Sequence, residues 1–176
     1  MGQSNVNELI QKYMPRIYAF ALRLCGDPEL AEDITAETCI KVWKHIDSFD
    51  VTKSVNSWIF TIARNTAYDF FRKRKNVAFS RMMQGADEDQ DFEETIVDEN
   101  PGAELVFDGV LSQKLLNESL QKLTLEKRTI VLLHDIEGLT FDEIAAVVNK
   151  PSNTVKSTYR RTLLGLQKEM HQKRQL

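Results

Sequence analysis

Lys156, Ser157, Arg160 and Arg161 are hydrogen-bonding side chains gathered just behind the breaker Asn149-Lys150-Pro151 in a chain of 176 residues. Lysine and arginine suit guanine edges and phosphate oxygens, and a short helix carrying them at its N-terminal end fits the major groove of DNA. The upstream residues supply the other half of such a device. Thr140 is an N-cap with Glu143 three residues on, a spacing at which each side chain can take up the other's orphan backbone amide. Ile144, Ala145 and Val148 fall on one helical face. Proline lacks the amide and disfavours a helical residue before it, so one helix stops here and another follows. In that second helix Val155, Tyr159, Leu163 and Leu166 point inward. Residues 139–161 therefore read as a helix-turn-helix aimed at DNA. The plainer alternative is a helical hairpin with a solvated basic face.

A second constellation lies in SWIFTIARNTAYDFFRKRKN. Trp58, Phe60, Tyr68, Phe70 and Phe71 alternate with Arg64, Asn65 and a basic end. Aromatic faces stack on unpaired bases while cations follow phosphates. Most of these aromatics are better read as core: Trp58, Phe70 and one of Phe60 or Phe71. Asn65 is a short amide on a basic surface, suited to a base edge, or else an ordinary solvated helix residue.

Covalent chemistry has no comparable support. There is no GxSxG, HExxH, Walker loop or GxGxxG. Glu32, Asp33 and Glu37 gather on one helix without a histidine partner. His45, His134 and His171 share no ligand spacing with Cys25 and Cys39, so neither a metal nor a cofactor is expected. The two cysteines read as small buried apolar residues.

These side chains must be positioned by helices. Composition is that of a soluble globular chain, 42% hydrophobic and 28% charged. No apolar run approaches a membrane span and no signal peptide opens the chain, so a cytoplasmic location is expected. The net charge of −3 is segregated. Ten acids and no lysine or arginine lie between Met82 and Gln113, flanked by two mildly basic ends. Asn5 and Glu8 can open a first helix, and Pro15 should kink or divide it. Gly26 ends it, and Asp27-Pro28 opens a second that runs to about Ile46. A polar loop with Phe49 precedes a third, from about 57 to 75. Residues 76–101 look poorly ordered. Periodicity returns at Val110, Leu111, Leu115, Leu120 and Leu123. Thr124 caps a further helix through Ile136, and Gly138 stops it. The expected fold is all-α: a helical domain over 1–76, a flexible acidic linker over 77–108, and a helix-turn-helix domain over 109–176.

Taken in order, AEDITAETCIKVWKHIDSFD, SWIFTIARNTAYDFFRKRK and GLTFDEIAAVVNKPSNTVKSTYRR resemble the extracytoplasmic-function group of bacterial sigma factors, over almost the whole chain. The resemblance implies a non-enzymatic initiation factor, a monomer that directs core RNA polymerase to promoter DNA. It places Asp33, Glu37 and Lys41 on the surface that docks the beta-prime coiled coil, with the beta flap as a second polymerase contact. It assigns the minus-ten element to Asn65 and Arg64, the loop at Ser48 and Phe49, and the basic end Arg72, Lys73, Arg74 and Lys75. It assigns the minus-thirty-five element to Lys156, Ser157 and Arg161, with Ser152, Asn153, Thr154 and Arg160 beside them. It also implies an anti-sigma factor as a partner, without metal or membrane insertion. Asn153 stands where the family usually has glycine, a backbone asparagine also tolerates. Thr158 and Leu163 stand where basic residues are frequent. The acidic linker fits a positive polymerase channel or a solubilising tether. A free-standing helix-turn-helix regulator is the alternative function.

Overall fold

The structure is a computed structural model that describes residues 3–81 and 118–174. Helix α1 spans Gln3–Cys25, α2 Pro28–His45 and α3 Val55–Arg81. Residues 118–121 form the described part of α4. Helix α5 spans Leu125–Val131, α6 Phe141–Val148 and α7 Ser152–Arg174. No strand occurs among the described residues. No described helix is long and apolar enough to cross a membrane.

Pro15 lies inside α1 and does not divide it. Tyr13 and Ile17 are buried on either side of it, and Phe20, Ala21 and Leu24 continue the buried stripe. Packing on both flanks outweighs the single backbone bond that proline removes. The helix also starts before Asn5. Gly26 ends it with φ +72°, and a Cβ there would meet the Gln121 amide at 3.1 Å, so the position needs both the conformation and the small size of glycine. Asp27 then caps α2, accepting from the Leu30 amide at 3.2 Å. Helix α3 runs past the expected end at 75 to Arg81. The remaining acidic stretch lies outside the described residues.

Phe20 and Phe60 meet edge to face at 5.5 Å in the core, a geometry that adds to the roughly 1.5–3 kcal/mol each buried ring contributes. Thr124 caps α5 through the Lys127 amide at 3.4 Å. The helix continues as expected to Ile136, but its last turn widens into a π-turn over Leu132–Ile136, closed by Glu137 N to Leu132 O at 3.1 Å. Gly138 then reverses the chain with φ +69°.

The two helical groups share one apolar core, and a joint of polar side chains also links them. Arg16 of α1 donates to the Glu137 carboxylate at 3.0 Å and to Asn56 of α3 at 2.9 Å. The Glu137 side chain is 3% exposed, and burial pushes its carboxyl above the ordinary glutamate range despite Arg16. Arg128 of α5 is buried. It donates to the carbonyls of Leu24, Leu120, Gln121 and Leu123 and to the Gln121 side chain. Gln121 in turn donates to the Arg23 carbonyl at 3.0 Å. Cys25 and Cys39 are free and half-buried, and desolvation raises both thiols.

Candidate nucleic-acid and polymerase interfaces

The turn between α6 and α7 is fixed by local chemistry. The Thr140 amide donates to Glu143 Oε2 at 2.8 Å, and the Glu143 amide donates to Thr140 Oγ1 at 3.3 Å, the reciprocal cap that the spacing predicts. Hydrogen bonds from Ser54 first, then from Thr140, hold the Glu143 carboxyl below its usual range. Asn149 ends α6 in the left-handed region at φ +56°. The left-handed asparagine is thus Asn149. Asn153, to which the sequence comparison gave that backbone, is helical, inside the first turn of α7. Lys150 Nζ reaches Glu126 at 2.6 Å and ties the turn to α5.

Helix α7 is seated by Val155 and Leu166, both buried in the same core as Ile144 and Val148. Tyr159 donates to Asp135 at 2.5 Å, and its ring meets His134 at 4.6 Å and Phe141 at 5.2 Å. Desolvation first, then Asp135, pushes the phenol far above its ordinary value. With that side held, Asn153, Thr154, Lys156, Arg160 and Arg161 are exposed together. Ser157 is half-buried and bonds the Thr154 carbonyl at 3.0 Å. Ser152 differs from the others, because its hydroxyl oxygen is buried and has no hydrogen-bond partner among the described residues.

On α3 the candidate side chains are already engaged with neighbouring groups. Arg64 donates to Asn65 Oδ1 at 2.9 Å and lies 4.1 Å over the Tyr68 ring. That leaves the Asn65 amide group as the outward donor. The Tyr68 hydroxyl is 3.3 Å from Thr129 of α5. Arg72 pairs with Asp69 at 2.8 Å. Lys73 lies 5.8 Å over Phe70. Arg74 pairs with the α2 cap Asp27 at 2.9 Å and lowers that carboxyl. Arg74 therefore braces the α1–α2 corner. Phe60 is the fully buried aromatic, while Trp58, Phe70 and Phe71 are half-buried. Phe49 packs on Trp58 at 4.9 Å, and Ser48 caps the end of α2 through the His45 carbonyl at 2.7 Å. The Lys75 side chain lies outside the described residues.

The chain matches the model of Sigma-70 region 2 over residues 9–77 and that of Sigma-70, region 4 over residues 113–164. It is 30% identical to the ECF RNA polymerase sigma factor SigW of Bacillus subtilis, covering 93% of this chain and 87% of that one. The chain belongs to the extracytoplasmic-function group of sigma-70 factors. It is also 31% identical to the ECF sigma factor SigE of Mycolicibacterium smegmatis, over 88% of this chain and 57% of that one. Among solved structures it resembles the sigma factor RpoE in complex with the anti-sigma factor NepR from Bartonella quintana. That match has a TM-score of 0.75 and 25% identity, covering 95% of this chain and 97% of that chain.

In this sigma factor the exposed face of α2 carries apolar residues as well as the charges read from sequence. Asp33 is exposed and Glu37 half-exposed. Lys41, grouped with them in sequence, pairs with Glu37 at 3.7 Å and also bonds Thr66 of α3 at 3.1 Å. Beside these acids runs an apolar stripe that charge-based reading missed. Ile40 is 46% and Trp43 52% exposed, in line with Ala36. Beside it Met14, Pro15, Tyr18, Thr35, Ala36 and Cys39 line an open groove of about 580 Å³. A tryptophan on the outer face of an amphipathic helix was the available signal.

Proposed function

We propose that this sigma factor reads a promoter in two chemically different ways while bound to core RNA polymerase. Residues 109–176 dock α7 in the major groove of the minus-thirty-five element, with Asn153, Thr154, Lys156, Ser157, Arg160 and Arg161 facing DNA. Residues 1–76 capture an unpaired base of the minus-ten element at Asn65, with Arg64, Phe49, Arg72 and Lys73 alongside. The observation that carries this reading is the pairing, in one chain of the sigma family, of exposed cations on α7 with an aromatic–amide cluster on α3. Asp33, Glu37 and the Ile40–Trp43 stripe dock the beta-prime coiled coil, because a half-apolar, half-acidic face suits a protein partner better than DNA. The factor performs no covalent chemistry, acts as a monomer in the cytoplasm, and answers to an anti-sigma factor, as the likeness to the Bartonella complex suggests.

Transcription with purified core polymerase on a genomic DNA pool tests this. Defined start sites should depend on the added chain. Glu37→Lys should weaken core binding in a titration by about tenfold or more. Specific DNA binding without core, and no core-dependent transcript, would instead make the chain a free-standing regulator.

A further inference from the structure

Asp69 is the exception on the reading face of α3. It stands one helical turn after Asn65, where neighbours four residues apart share a face, and its side chain is 42% exposed. A carboxylate there repels any phosphate chain that Asn65 would hold. Two cations meet it. Arg72 pairs with Oδ1 at 2.8 Å but is 73% exposed, and Lys41 Nζ comes from α2 to 4.0 Å of Oδ2. Lys41 is the better anchored of the two. It donates to Thr66, a fully buried residue adjacent to Asn65, at 3.1 Å, and Glu37 lies 3.7 Å away on its other side.

The geometry points to Lys41 as a positioning residue for promoter opening. We infer that it neutralises Asp69 so that Arg72 can leave that carboxylate for the DNA backbone. Exposed ion pairs are held by little energy, so Arg72 can exchange Asp69 for a phosphate at small cost, provided another cation remains on Asp69. Lys41 is that cation, and its bond to Thr66 keeps it in place when Arg72 departs. The inference rests on α3 being the strand-capturing helix.

The test uses the full chain assembled with core polymerase, scoring core affinity and open-complex formation separately. Lys41→Met, scored at saturating core polymerase so that any loss through its partner Glu37 is separated, should lower opening by about tenfold, with a shallower salt dependence as expected when one favourable cation near phosphates is lost. Lys41→Met combined with Asp69→Asn should recover most of the parent rate, and Lys41→Arg should retain it. A combined variant as slow as Lys41→Met would overturn the inference and leave Lys41 as a mechanical tie to Thr66. Loss of core affinity with normal opening would make it a docking residue instead. Asn65→Ala is run in parallel. If it opens the promoter normally, α3 does not capture the strand and both readings fall; if it is defective while Lys41→Met is not, only the role of Lys41 is lost.

Discussion

The Lys156 and Arg160 side chains on α7 make no hydrogen bond or ion pair to any described residue, and Arg161 makes only long contacts of 3.4 and 3.5 Å to Ser157, whereas Arg64, Asn65, Asp69, Arg72 and Arg74 on α3 are all engaged at 2.8–2.9 Å. Under the proposed function, the contrast fits what each surface would meet. Duplex DNA is stiff and presents its edges at fixed positions, so the protein can leave long side chains mobile and immobilise them on contact, at up to about 2 kcal/mol of rotamer entropy each. An unpaired strand is itself flexible, and a site for it gains by being organised beforehand. In this chain the backbone around α7 is what is held, through the Thr140–Glu143 box and the Tyr159–Asp135 bond. On α3 side chains are also held, Arg64 and Asn65 by each other and by the Tyr68 ring.

The largest expected effect comes from the element both surfaces share. Arg128→Met leaves several carbonyls without a donor and should destabilise the chain by about 3 kcal/mol or more, read as a fall in thermal midpoint. Both promoter activities should then fall together. Loss of one alone would show that the joint supports only that side. Next, Asn65→Ala should reduce open-complex formation by about 2 kcal/mol while sparing closed binding, because the lost amide would act only on an extruded base. Permanganate reactivity on matched and pre-melted templates measures it, and equal reactivity of mutant and parent on the matched template would reduce Asn65 to a surface residue.

Lys156→Ala or Arg161→Ala should each weaken upstream binding by about 1.5 kcal/mol if it meets a base. Competition against a scrambled element separates the roles: a loss shared by both sequences marks a phosphate contact and blurs the contrast between the two surfaces. The smallest effect concerns pH. Burial raises the Glu137 carboxyl above the ordinary value of 4.5, so folding takes up a proton between that value and the raised one. The Glu137 contribution therefore grows as pH falls through the raised value towards 4.5, and is weakest above it. Asp27, Asp50 and Glu143 are shifted down and act in the opposite sense. The check is consequently the difference between melts of the parent and Glu137→Gln across that range.

The helix-turn-helix was legible because its determinants are local. A cap, a partner three residues on, a left-handed asparagine and a proline all act within one turn of the chain, although the asparagine concerned is Asn149 and not Asn153. The end of α3 was not legible: the run Arg72 to Lys75 looks like a helix terminus, yet nothing after it breaks a helix before Arg81. The π-turn before Gly138 leaves no mark either, since Leu132, Leu133 and Ile136 suit an α-helix equally well. Least visible was the joint. Arg16 and Glu137 are ordinary helical charges in sequence, and only the fold brings them together. The same holds for Lys41, whose neighbour Glu37 is local but whose partner Thr66 is on another helix. Long-range electrostatics had no periodicity to betray it, whereas the core aromatics, spaced for one face, did.

Arg128 has one further consequence, and it is genetic. Four of its five acceptors are main-chain carbonyls, those of Leu24, Leu120, Gln121 and Leu123. Every residue type carries that oxygen, so substitution at those positions neither abolishes nor improves the partner. Damage at Arg128 has no reciprocal repair there: a compensating change must arise elsewhere and stabilise the fold generally. Arg16 and Glu137 are different, since both partners are side chains and an exchange of their charges is a conceivable second-site suppressor. A screen for revertants should therefore return allele-specific pairs at one end of the joint and only global stabilisers at the other.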